Sequence, residues 1–99
     1  MAKTQANYEL LYIIDLDKGE DGIQALVERF QNLIKEHGGE ITEHEEWGKR
    51  KLAYLINDKP EGYYVLVKFT SKPEFPGELD RILKITDGVM RSLITVIGE

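Results

Sequence analysis

Cysteine is absent from this 99-residue chain. That excludes a disulfide framework and any thiolate metal site, and it fits a reducing compartment. Long apolar runs are absent too. No stretch approaches the ~20 apolar residues that span a bilayer. The opening MAKTQANYELLYIID has neither the apolar core nor the small-residue cleavage site of a secretory signal. G-x-S-x-G, phosphate-loop and dinucleotide fingerprints are missing. His37 and His44 stand seven apart across Gly38-Gly39, a spacing that makes no metal site, so both are expected at the surface. There are no internal repeats, linkers or low-complexity segments. The expectation is a soluble cytoplasmic protein, one domain over residues 1–99, with no cofactor.

What is present is an uneven charge. The net charge is −5. Residues 1–46 hold four Lys/Arg against eleven Asp/Glu, net −7, and residues 47–99 hold nine against seven, net +2. A protein that relied on non-specific attraction to phosphate would be basic throughout. Here three cations, Lys49, Arg50 and Lys51, are concentrated in the stretch WGKRKLAYLI. Any nucleic acid bound there is bound locally, by geometry, with help from a partner.

The hydrophobic pattern reads βαββαβ. NYELLYIID (7–15) is a buried strand. DKGE, from Asp17, resembles a capped helix start. Ile23, Leu26, Val27, Phe30, Leu33 and Ile34 then line one helical face, and Gly38-Gly39 stops the helix. EITEHEEW continues through KRKLAYLI as a strand, with Gly48 marking a bend or bulge. NDKPEG is a turn by composition. YYVLVKFT (63–70) is the clearest strand. A helix with Pro76 near its start carries Leu79, Ile82 and Leu83 on one face. Asp87-Gly88 turns the chain into a last strand, VMRSLITVI. This order predicts an α+β, ferredoxin-like split sandwich. Its four-stranded antiparallel sheet has strands one and three in the centre and two helices on one face.

Strand side chains alternate between faces. Tyr63, Val65, Val67 and Phe69 are uniformly apolar and are assigned to the helices. So are Leu10, Tyr12, Ile14, Leu52, Tyr54 and Ile56. The last strand is ambiguous, and the choice that places Ile94 inside is adopted. The uncovered face then gathers Leu11, Ile13, Leu55, Tyr64, Leu66 and Leu93, with Glu9, Ala53, Thr70 and Thr95 also outward. Lys51, Lys68 and Arg91 form its rim. An apolar patch with a charged rim marks an interaction surface.

Catalysis has little support. Enzymes of this topology that cleave acyl phosphates need an anion cradle after strand one, and the loop here, DLDKGED, is rich in carboxylates that repel phosphate. Glu43, Glu45 and Glu46 offer either a divalent-ion site or a solvated strand edge that discourages sheet-to-sheet pairing, and the second reading is preferred. Of the aromatics that stack bases on RNA-binding sheets of this topology, only Tyr64 falls on the open face. That face therefore suits a protein partner. RNA contact is expected at strand ends and loops through Tyr8, Lys49, Arg50, Lys51 and Arg91. A solvated basic edge is the competing explanation for the three cations, and a small regulatory or ligand-binding module is the competing function.

The order of YELLYII, GG, WGKRKLAYLI, GYYVLVKF and ITDGVMRSLI resembles the bacterial small-subunit ribosomal protein six family nearly end to end. The most specific piece is the run of Gly, basic residues and Leu-Ala-Tyr. The resemblance implies a non-enzymatic protein of the cytoplasmic ribosome. It implies binding to the central domain of 16S ribosomal RNA as a heterodimer with small-subunit ribosomal protein eighteen. It matches Tyr8 to the family's opening aromatic, Arg91 to a basic position in the last strand, and Lys49, Arg50 and Lys51 to the basic signature. Asn7 and Met90 stand where many members are basic, with Lys3 further back. The chain ends at Glu99, where many members continue into a partner-holding tail. These departures imply RNA affinity that leans more on the partner.

Overall fold

The computed structural model describes residues 5–56 and 59–97, and the side chains of all of these except 53–56. The chain runs β1 (Ala6–Ile14), α1 (Gly19–Glu36), β2 (Glu40–Ile56), β3 (Lys59–Ser71), α2 (Phe75–Ile85) and β4 (Val89–Val96). All strand pairs are antiparallel, in the order β2-β3-β1-β4. The ferredoxin-like α+β architecture is as expected, with β1 and β3 central.

Alternation organises the core. Tyr8, Leu10, Tyr12 and Ile14 of β1 and Val65, Val67 and Phe69 of β3 are buried beneath the helices. From α1 come Ile23, Val27, Phe30 and Ile34, and from α2 Phe75, Leu79 and Leu83. The 3.6-residue period of the helices and the period of two in the strands thus meet on one surface. Tyr12 meets Phe30 edge to face at 5.4 Å between centroids, and Phe69 meets Phe75 at 6.0 Å. Ile94 and Tyr63 pack against the same cluster, half-buried.

The helix entry differs from the expectation. The cap is Asp15, whose Oδ1 accepts from the Asp17 amide at 2.9 Å and starts a 3-10 turn over Leu16–Lys18. α1 follows from Gly19. Asp17 instead pairs with Lys59 at the start of β3. At the other end the Gly39 amide donates to the Ile34 carbonyl at 2.9 Å and Gly38 has φ 79°, a left-handed stop that glycine accommodates.

β3 begins at Lys59, so the stretch expected as a turn is largely strand. β1 reaches only as far as the Ile14–Tyr63 pair. The β2–β3 ladder continues through Lys49–Tyr63, Arg50–Gly62 and Lys51–Glu61. The two strands therefore run on as a ribbon beyond the rest of the sheet. Gly48, at φ 82°, sits at a register shift between Glu46 and Gly48, the bulge foreseen from its sequence position.

Candidate nucleic-acid and protein interface

The uncovered face is laid out in rows by the ladders. Tyr64 and Arg91 flank Ile13, Leu66 and Leu93 flank Leu11, and Lys68 and Thr95 flank Glu9. The face assignments for β1 and β3 are thus those expected from alternation, and β4, ambiguous in the sequence, takes the choice that turns Ile94 inward. Two of the expected docking residues, however, are already covered within the chain: Ile13 is 7% exposed and Leu66 8%. Close packing explains Ile13, since a Cβ placed on Gly62 would lie 2.3 Å from its Cγ2. The accessible apolar groups lie nearer the sheet margins, at Leu93 (59% exposed) and Trp47 (39%).

Trp47 is the residue that sequence reasoning missed. Its ring lies nearly parallel to Tyr64, at 12° and 6.2 Å between centroids. The Arg50 guanidinium sits 5.4 Å from the same ring, and the indole Nε1 donates to Glu45 Oε1 at 3.3 Å. Residues 47 and 50 would face opposite ways in a regular strand. The bulge at Gly48 resets the alternation, so Gly48 pairs with Tyr64 and Arg50 with Gly62. Arg50 and Trp47 are thereby gathered on the open side. The signal in the sequence was the Trp-Gly pair itself.

The same bulge corrects the expectation for Lys51. It pairs with Glu61, which shares the side of Tyr63 and Val65, so it does not join Lys68 and Arg91 on the rim. By the same alternation Leu52, expected inward, falls on the open side and is half-buried. Lys49 pairs with Tyr63, also on the helix side of the ribbon, and is exposed. Expectations for Lys3, and for the side chains of Ala53, Tyr54, Leu55 and Ile56, fall outside the described residues.

Tyr8 is a second correction. It was expected as an RNA contact near a strand end, but it is 6% exposed, with its ring 5.6 Å from Phe69 in the core. It shares the parity of Leu10, Tyr12 and Ile14, and therefore their face. Arg91 is exposed on the open side beside Ile13.

The acidic stretch divides by face. Glu43 and Glu45 pair with Lys68 and Leu66 on the open side, and the Glu43 carboxylate lies 3.9 Å from Lys68 Nζ. Hydrogen bonding between the two carboxyls raises the Glu43 pKa and lowers that of Glu45. Glu46 turns to the helix side. Its Oε1 accepts from Tyr63 Oη at 2.6 Å and from Gln24 Nε2 of α1 at 3.0 Å. Those bonds lower the Glu46 pKa and push the Tyr63 phenol up to about 12. The three glutamates are thus not one cluster. No group of three His, Asp or Glu is positioned to hold a metal among the described residues. His37 is exposed, with its ring 4.9 Å from Phe75. His44, expected at the surface, is half-buried opposite Val67 on the helix side, because it shares that parity.

No helix is long and apolar enough to cross a membrane among the described residues. Comparison with known proteins gives one consistent result. The family model for ribosomal protein S6 matches residues 7–95. A small ribosomal subunit protein bS6 from Thermoanaerobacter pseudethanolicus is 59% identical, over 94% of this chain and 98% of that protein. Its counterpart from Caldanaerobacter subterraneus subsp. tengcongensis is 56% identical, over 89% and 93%. The crystal structure of 30S ribosomal protein S6 from Thermotoga maritima superposes with a TM-score of 0.89 at 30% identity, over 94% of this chain and 88% of that one. By sequence along nearly its whole length and by fold, the chain belongs to the ribosomal protein S6 family, whose members are structural proteins of the small ribosomal subunit and not enzymes.

Proposed function

We propose that this single-domain protein works in the cytoplasmic ribosome. It binds the central domain of 16S ribosomal RNA as a heterodimer with small-subunit ribosomal protein eighteen. The observation that carries the reading is the division of the sheet. Its helix-free face offers Leu93, Trp47 and Tyr64 to a protein, while cations stand at its margins and on the ribbon. Arg50, Arg91 and Lys49 are the groups suited to phosphate, and Lys51 approaches from the other side of the ribbon. Leu11, Ile13 and Leu66 shape the docking face from beneath more than they cover the partner.

The net charge of −5 disfavours non-specific attraction of this chain to RNA. A basic partner neutralises most of the phosphate, and the acidic surface elsewhere disfavours wrong poses. The test is a titration of a 16S central-domain fragment with this protein alone and with protein eighteen added. Affinity should rise about tenfold or more with the partner, a coupling of about 1.4 kcal/mol. Equal affinity with and without it rejects the heterodimer reading.

A further inference from the structure

Two contacts on β3 tie the cation-bearing ribbon to the body of the protein, one on each of its sides. The first lies on the open side. A Cβ placed on Gly62 would come within 2.3 Å of Ile13 Cγ2 and 3.5 Å of Met90 Sδ, so the bare backbone of Gly62 rests on β1 and β4. The second lies on the helix side. Lys59 shares the parity of Glu61 and Tyr63. Its ammonium donates to the carboxylate of Asp17, in the turn that leads into α1. Hydrogen bonding to Asp17, with the charge of Asp15 behind it, raises the Lys59 pKa.

The cations lie between these anchors. Arg50 pairs with Gly62 and Lys51 with Glu61, while Ile56 pairs with Lys59. Gly62 and Lys59 are about 10 Å apart along extended chain. A two-stranded ribbon with no third strand beside it twists and bends readily. Resting on Gly62 alone, it would swing about that one point. A second contact, three residues further out and on the opposite side, fixes its direction. The Asp17 side chain is 72% exposed and that of Lys59 35%. A pair this exposed adds little to stability, so its effect lies in the geometry it holds.

We propose that the Asp17–Lys59 pair is a latch that aims the ribbon, with Arg50 and Lys51, at RNA. Asp17 and Lys59 are then positioning residues that touch no RNA themselves. The inference rests on the RNA-binding function proposed above, which supplies what the cations meet. A carboxylate on an RNA-binding protein ordinarily weakens binding through its charge. Asp17 does the reverse. Without it Arg50 and Lys51 sample many directions, and the ordering entropy lost on binding grows.

The test combines two measurements on the whole protein. Residual dipolar couplings of the Lys49, Arg50, Lys51, Glu61 and Gly62 amides report the direction of the ribbon relative to β1 and α1. Asp17→Asn should reduce or reorient these couplings and leave those of β1 and α1 unchanged. Binding to the 16S central-domain fragment, with protein eighteen present, should weaken about two- to fivefold, the shift that an exposed ion pair can impose. The salt slope should stay the same, because Asp17 meets no phosphate. Lys59→Gln should disturb the couplings in the same way. The exchanged pair, Asp17→Lys with Lys59→Asp, keeps the net charge and should restore both the couplings and the affinity to within about twofold of wild type. Wild-type couplings in Asp17→Asn overturn the latch. RNA binding that is equal or tighter in Asp17→Asn overturns it too, since charge alone would then act. A salt slope that falls by about one in Lys59→Gln, with couplings unchanged, makes Lys59 a phosphate contact instead. Wild-type protein that binds no RNA even with the partner rejects the function on which the proposal rests. The couplings need no RNA and decide the latch separately.

Discussion

Trp47 stacks on Tyr64 across the β2–β3 ladder, at 12° between planes, although the regular pairing sets Gly48 opposite Tyr64. The bulge lets one tyrosine have a glycine as its ladder partner and an indole as its packing partner. This brings the chain's one tryptophan to the open face.

Because Trp47 is the sole tryptophan, its fluorescence reports docking there without a label. Binding of protein eighteen to the open face should shift its emission to shorter wavelength as the ring loses water. An unchanged spectrum at saturating partner would place docking elsewhere. Trp47→Ala should cost about 1 kcal/mol in a urea titration, the scale of a stacked aromatic pair.

Leu93→Asp places a charge on a side chain that is 59% exposed. Stability should change by less than about 1 kcal/mol, as at other surface sites. Partner affinity should fall about tenfold or more. The same change at Leu66, only 8% exposed, should instead damage the fold, because the carboxylate would be buried without a partner. Equal effects on stability at the two positions would contradict the difference in burial.

Tyr63→Phe should lower stability by about 1 kcal/mol at neutral pH through loss of the donor to Glu46, a figure that allows for solvent exposure. The folded Glu46 pKa lies below its unfolded value. Its contribution is therefore present above the unfolded pKa and lost as pH falls through the folded one. The gap between wild type and Tyr63→Phe should close under acid. A gap constant down to pH ~2 would mean that Glu46 is not the acceptor that matters.

Gly62→Ala should destabilise by about 1–3 kcal/mol, since the new methyl overlaps Ile13 Cγ2 and a β-branched side chain yields little. Unfolding in urea measures this directly. A neutral substitution would mean that the ribbon can lift away from β1.

Arg91→Ala and Arg50→Ala should each weaken RNA binding by about 1–2 kcal/mol and reduce the salt slope by about one, if each meets a phosphate. Tyr8→Phe should leave the slope untouched, because that ring is in the core. An unchanged slope for Arg91→Ala removes it from the RNA surface.

The element order and the core were legible in local pattern. The parity of Tyr63, Val65, Val67 and Phe69 sufficed to place β3, because a period of two admits only two choices and one of them buries charge. Tyr8 is legible by the same parity, which outweighs its position near a strand end. Lys51 and Trp47 were not. Both depend on how many residues the bulge at Gly48 inserts into the ladder, and a sequence marks the glycine without stating the register. At the helix entry two aspartates stand two apart, and only the backbone path decides that the Asp15 side chain is the one that meets an amide.

By itself the sequence determined the strands and helices, the core they share and the family to which they belong, because short-range periodicity and motif order survive without coordinates. Tertiary structure alone decided how much of the apolar face is already covered and which cations share a side. Those properties depend on register and on the approach of residues distant in the chain, such as Gly62 to Ile13, which no local pattern records.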